Sequence, residues 1–243
     1  MSPVDRVGVE SSQSDEQMEV ESMSPHLTDT RFIEYHGVLR AELNIGYRHF
    51  RVYTSMEDAI EDRRHHIKHV SDFVTLTLRA HRREAILPLA RLLDVHKRTV
   101  CIRSLLDHCY NNPSMFLPGR VRGRVRDLDD SAGIVRARAE TTIFYIQDCV
   151  QQDRMELAAL PAGDILALRN KVLAHMDRTA LIEGTVPDTF PNREQVERCF
   201  HTVDSMLNRW SSAFDAQQYS MDYQADCLKS GVDTLLDTLH RRP

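Results

Sequence analysis

Glycine and proline are scarce in this chain, at nine each in 243 residues, and aromatic residues make up only 7%. So few turn formers argue against a collagen-like chain, a low-complexity chain or a turn-rich all-β fold. No apolar run approaches the roughly 18 residues that a membrane span needs. The first residues lack a basic stretch followed by an apolar one, so no secretory signal is expected. The five cysteines, at 101, 109, 149, 199 and 227, form no C-x-x-C pair. Scattered cysteines fit free thiols in a reducing cytoplasm better than a disulfide framework or a structural zinc site. Phosphate loops, dinucleotide fingerprints, the H-E-x-x-H zinc helix and the G-x-S-x-G elbow are all missing. None of those chemistries has local support.

Charge is present in quantity and is unevenly placed. The net charge of −5 sits in the first 25 residues, which hold six acids and one base. Residues 60–103 carry ten bases against five acids, and residues 117–138 carry six arginines against three aspartates. From 186 to the end, nine acids face six bases. A basic middle between acidic ends permits a polyanion partner, though a solvated helical surface of mixed charge reads the same way. Residues 1–27 have no aromatics and cannot bury enough apolar area to offset ordering, which predicts a disordered acidic tail.

Beyond the tail the periodicity is helical almost throughout, and strand-like alternation is nearly absent. Thr28 and Asp29 offer cap oxygens to a first helix through Phe32, Tyr35 and Leu39, weakened near its end by Gly46. Ser55 with Asp58 reads as a capping box opening a second helix that runs on to Leu78. A further stretch through Ala85 and Leu93 contains Pro88, expected to kink or bound it. Thr99 is placed to cap a helix ending at Asn111–Pro113, and residues 113–127 read as a loop. Helices are then expected over about 129–152, from Pro161 onward, over 193–217 behind an Asn192 cap, and over about 229–239. Residues 182–191 read as a loop. The fold class is an all-α bundle.

Three clusters carry candidate chemistry. In Arg63-Arg64-His65-His66-Ile67-Lys68-His69, His65 and His69 stand one helical turn apart. They could meet one metal ion, but no third ligand is identifiable, so no metal is assigned. Arg63, Arg64 and Lys68 suit either a solvated basic face or contact with phosphate. In the segment around Pro118, alternate spacing would set Arg120, Arg122, Arg124 and Arg126 on one side of an extended strand, a clamp for a nucleic-acid backbone. The same arginines also suit a mobile, solvated loop.

The third cluster, Leu168-Arg169-Asn170-Lys171-Val172-Leu173-Ala174-His175-Met176-Asp177, is the sharpest. It brings an always-charged donor, an amide, a group titrating near neutrality and a carboxylate within nine positions of Arg169. On an ideal helix His175 falls about 20° from Leu168, on the buried stripe, where a histidine is usually a satisfied core or interface residue. Arg169 and His175 lie about 120° apart on the same helix. Acting together could therefore require a second copy, that is, a dimer.

At this stretch the sequence resembles the HEPN superfamily, whose signature is an Arg followed by a polar residue and, four to six residues later, a His. Arg169, Asn170 and His175 match it, with five residues between Arg and His. "LARLLD" (89–94), "TVCIRSLLD" (99–107), "LRNKVLAHMD" (168–177) and "GVDTLLDTL" (231–239) look like the abortive-infection AbiU-type branch. The resemblance spans about 30–239, discontinuously, and makes residues 28–243 one helical HEPN-like domain. It implies dimerisation through the motif-bearing helices and, often, metal-independent RNA cleavage with no cofactor. By position, Arg169 and His175 would be the catalytic pair, Asn170 the polar helper, and Lys171 and Asp177 supporting groups. A toxin-like role in phage defence or stress, restrained by an antitoxin or other regulatory protein, would fit. Members controlled by nucleotide transfer carry a Tyr two residues after the His; Asp177 stands there, so that control is not implied. Other members bind without cutting, which leaves a non-catalytic module for RNA, nucleotide or protein as the alternative. A purely structural partner, marked by an Arg169 wholly engaged in an internal ion pair, is a third reading.

Overall fold

The structure, a computed structural model, describes residues 25–63, 71–96, 98–125, 140–170 and 191–240. Among them are eight α-helices, one 3₁₀ turn and no strand. They are α1 (Pro25–Arg63), α2 (Ser71–Leu92), α3 (Ile102–Asn111), the 3₁₀ turn Pro113–Phe116, α4 (Pro118–Arg124), α5 (Ile143–Ala158), α6 (Ala162–Leu168), α7 (Arg193–Asp215) and α8 (Asp222–His240). Most of the expected tail, residues 1–24, lies outside the described residues, whereas its last three residues are the first turn of α1.

The first two expected helices are one. α1 runs unbroken for 39 residues, about 58 Å at the usual rise, past both Gly46 and Ser55. Glycine normally costs a helix about 1 kcal/mol relative to alanine. Here its missing side chain is what the packing uses. A Cβ on Gly46 would stand 3.0 Å from Cε1 of Phe200, 3.1 Å from Cβ of Pro88 and 3.2 Å from the Ala85 carbonyl oxygen. Gly46 is therefore the crossing point of α1 with α2 and α7, not an end. Tyr53, Thr54, Met56 and Ala59 are buried on either side of Ser55, so tertiary packing carries the helix through the expected cap.

α2 lies antiparallel to α1. Arg91 donates to Glu42 at 2.7 Å, Pro88 meets Gly46, and a ring nitrogen of His81 lies 2.9 Å from one of His49. Pro88 does not end α2, which continues one more turn to Leu92 with Pro88 buried. The stretch 64–70, expected to be helical, lies outside the described residues.

The main core threads through the middle of this hairpin and gathers α3, the 3₁₀ turn, α5, α6 and α7 around Phe32, Leu43, Phe50, Leu89, Phe200 and Trp210. A second, smaller cluster joins the far end of α1 to α2 and α8 through Met56, Val74, Val232 and Leu236. Asn192 caps α7 as expected, its side chain accepting the Glu194 N–H at 2.9 Å. The α3 cap is Cys101 with Ser104, because the Thr99 hydroxyl donates instead to the His96 carbonyl at 2.7 Å. Of the helix expected over 129–152, residues 129–139 lie outside the described residues; 140–142 are not helical, and α5 begins at Ile143, with Thr142 accepting the Tyr145 N–H, and extends to Ala158. The last helix is 19 residues long, starting earlier than its periodicity announced.

Charges inside this core are paired, with Nε of Arg40 left without a hydrogen bond. The Asp153 carboxylate is fully buried; it accepts the Trp210 indole N–H at 2.7 Å and pairs with Arg209. Arg40, 6% exposed, pairs with Asp204 and donates to Asn208 at 3.0 Å. His36 and His108 are buried against the Leu207 and Thr28 carbonyls at 3.1 and 3.0 Å. Desolvation holds the pKa of both below the ordinary histidine value despite those bonds.

Candidate functional site

α6 is short and turns Ile165 and Leu168 into the core. Immediately after Leu168, Arg169 and Asn170 emerge in a π-helical turn at its C-terminal end, a widening of the backbone that is frequent at functional positions. The Arg169 side chain is 20% exposed and reaches back to the loop after α2. Its Nη1 donates to Oδ2 of Asp94 at 2.9 Å, and its Nε donates to Oδ1 of Asn170 at 2.9 Å. Among the described residues Nη2 has no partner.

Asp94 is anchored in turn. Its Oδ1 accepts the N–H groups of Val95 and His96 at 2.7 and 3.1 Å. Burial alone would raise this carboxyl, but the backbone donors and the Arg169 guanidinium together outweigh it, so its pKa sits below the ordinary carboxylate value. Asp94 therefore stays ionised and keeps Arg169 on a fixed leash. Asp94 ends one of the stretches that carry the HEPN resemblance, but 75 positions separate it from Arg169. No spacing rule links two residues so far apart.

Of the other motif residues, Lys171, His175 and Asp177 lie outside the described residues. So do Arg64, His65, His66, Lys68, His69 and Arg126, and Arg63 is described only as the last position of α1. The arginine segment is not extended. Residues 118–124 form helix α4, which puts Arg120 and Arg124 on one face and Arg122 on another. Arg120 pairs with Asp29 at 2.7 Å. Arg124 also binds Asp29, donates to the Met115 and Phe214 carbonyls at 2.6 and 2.7 Å, and lies over the Phe214 ring. Asp29, expected to cap α1, instead ties α4 to it. Of these three arginines only Arg122 is classed as exposed, so the expected row of guanidinium groups along one side does not form.

A cleft of about 450 Å³ opens between α5 and α7, lined by Tyr145, Ile146, Cys149, Arg209 and Trp210 among others. Among the described residues, none of the expected site residues borders it. Cys101, Cys109, Cys149 and Cys199 are free thiols, and burial raises Cys109 well above its ordinary value and Cys199 to about 11. Among the described residues no group of three or more His, Cys, Asp or Glu is placed to hold a metal ion, and no helix is long and apolar enough to cross a membrane.

A search of curated proteins and of solved structures finds no match. A family model does: that of AbiU2, within HEPN, matches residues 29–229. The match takes in α1 to α7 and most of the segments that carried the resemblance, the Arg169 motif among them. The chain belongs to the HEPN AbiU2 family.

Proposed function

We propose that this chain is a metal-independent endoribonuclease acting in phage defence or a related stress response, with Arg169, His175 and Asn170 at a cleft between two copies of the chain. The observation that carries this reading is the state of Arg169. Its guanidinium is oriented by Asp94 and Asn170 while one N–H edge has no partner among the described residues. That oriented, partly exposed guanidinium stands within the segment matched by the family model, where a phosphate could meet it.

The chemistry needs no redox step and no metal. The ribose 2′-oxygen attacks the adjacent phosphorus as His175 takes its proton, and the bond to the 5′-oxygen breaks as that oxygen is protonated. The products are a 2′,3′-cyclic phosphate and a 5′-hydroxyl. Negative charge grows on the phosphoryl oxygens, where a forked Arg169 donor contributes most, a few kcal/mol in a water-poor site. The Asn170 amide, whose oxygen already accepts from Arg169, has N–H groups left for a phosphate oxygen or for the His175 ring. Asp177 would steady the imidazolium, and Lys171 would add positive charge. DNA, lacking the 2′-hydroxyl, is not cut by this route. Such an activity inside a cell calls for restraint, so an antitoxin or other regulatory protein is the partner expected beside RNA, and the cytoplasm is the expected compartment.

The test is incubation of the purified chain with single-stranded RNA in EDTA, beside His175→Ala and Arg169→Ala. Cleavage by the native protein alone is expected, with cyclic phosphate ends. Equal cleavage by all three proteins rejects the assignment. The α5–α7 cleft favours one other reading, a non-catalytic module that binds a ligand there. On that reading His175→Ala leaves function intact.

A further inference from the structure

The loop between α2 and α3 is built around the same carboxylate that holds Arg169. One oxygen of Asp94 takes the guanidinium and the other takes the Val95 and His96 N–H groups. The rest of the loop is tied to His96. Thr99 donates to its carbonyl from both hydroxyl and N–H, at 2.7 and 3.1 Å, and the Arg98 N–H reaches its ring Nδ1 at 3.3 Å. With Nδ1 accepting, Nε2 carries the ring proton and is a donor. These bonds fix the backbone of the loop while His96 and Arg98 are exposed. Neither has an acidic partner among the described residues, unlike Arg40, Arg120 and Arg124. Val95 and Val100, 62% and 39% exposed, place apolar surface beside them. Between positions 94 and 103 the sequence has one acid, already neutralised by Arg169, and three Lys or Arg.

We infer that this loop is a track for the RNA backbone, in which Arg98 and His96 bind phosphates next to the one held by Arg169 and the exposed valines meet ribose or base. The substrate class is single-stranded RNA, because a phosphate chain supplies repeated negative charge while its unpaired bases offer apolar faces to Val95 and Val100. Asp94 sets the register between track and guanidinium. The inference rests on the nuclease reading only for which phosphate is cut, not for binding.

The test uses a single-stranded 2′-O-methyl RNA, which cannot be cleaved by 2′-oxygen attack. Its affinity for the full chain is measured by fluorescence anisotropy over a range of salt. Native protein is compared with Arg98→Ala, Arg98→Glu and, as a control on an exposed α2 position, Arg83→Ala. Arg98→Ala is expected to weaken binding about fivefold and to flatten the salt dependence by about one phosphate, with Arg98→Glu weaker still and Arg83→Ala unchanged. Equal affinity of native protein and Arg98→Ala, an equal loss with Arg83→Ala, or no binding by native protein in about 50 mM salt overturns the track. Cleavage of unmodified RNA is scored separately. The expected binding pattern without cleavage keeps the track and removes the nuclease; cleavage with an unaffected Arg98→Ala does the reverse.

Discussion

The crossing of α1 with α7 and the end of α6 both use an arginine held by an aspartate and an asparagine, but at different depths. At the crossing, Arg40 is 6% exposed and bonded to Asp204 and Asn208, and between α5 and α7 the fully buried Asp153 is bonded to Trp210 and paired with Arg209. At the end of α6, Arg169 is 20% exposed, shares Asp94 with the loop backbone, and has one N–H edge with no described partner. Removing a buried charge from water costs several kcal/mol, so such a group is kept only where an opposite charge answers it, as Asp204 answers Arg40 although Arg40 Nε has no hydrogen bond. A group at a rim pays less for incompleteness and keeps a donor for something else. The difference is one of burial, which sets how much stability each charge controls.

Breaking the first kind gives the largest effect. Asp153→Ala leaves the Trp210 N–H and the Arg209 charge without their partner, and urea unfolding is expected to show a loss of about 3–5 kcal/mol. Arg169→Ala sharpens the contrast from the other side. RNA cleavage is expected to fall by about 10²–10³-fold, while the unfolding free energy moves by about 1 kcal/mol or less. A stability loss as large as that of Asp153→Ala would make Arg169 a structural residue and erase the distinction. Gly46→Ala tests the crossing itself. With backbone and ring atoms 3.0–3.2 Å from the new Cβ, a loss of about 1–3 kcal/mol is expected, where an ordinary helical position would gain from alanine.

Much of this was legible beforehand, but unevenly. Helical class, the α7 cap at Asn192 and the apolar positions of the core follow from spacing, because caps and amphipathic stripes act over three or four residues. Gly46 and Ser55 misled because the same local signals mean an end in isolation and a close contact in a packed bundle. The arginines at 120 and 124 read equally as a nucleic-acid clamp or as part of a mobile, solvated loop until Asp29, more than 90 positions away, is seen to bind both.

The buried histidines sharpen the comparison further. His36 and His108 have pKa values lowered by burial, so the native state prefers them neutral while the unfolded chain protonates near the ordinary value of 6.5. The unfolded state then binds more protons, and their contribution to stability, present above about pH 6.5, is lost as pH falls below it. Thermal unfolding between pH 7.5 and 5.5 is expected to show the decline, and His36→Gln to make it shallower. A slope unchanged in that variant would place the titration elsewhere. The smallest effect belongs to Ala216, which closes α7 at φ 66° in the left-handed region. Ala216→Gly should stabilise by about 0.5–1 kcal/mol, and a loss instead would mean that its methyl group, packed by Val121 and Val125, matters more than the backbone strain.

Sequence alone determined that this chain is helical and which faces turn inward, since periodicity and capping are properties of neighbouring residues. Only the tertiary structure decided that α1 is a single helix, that Arg120 and Arg124 are spent on Asp29, and that Asp94 holds Arg169. Those pairings join residues 75 or more positions apart, and what brings them together is the packing of helices around a shared core, which no local pattern encodes.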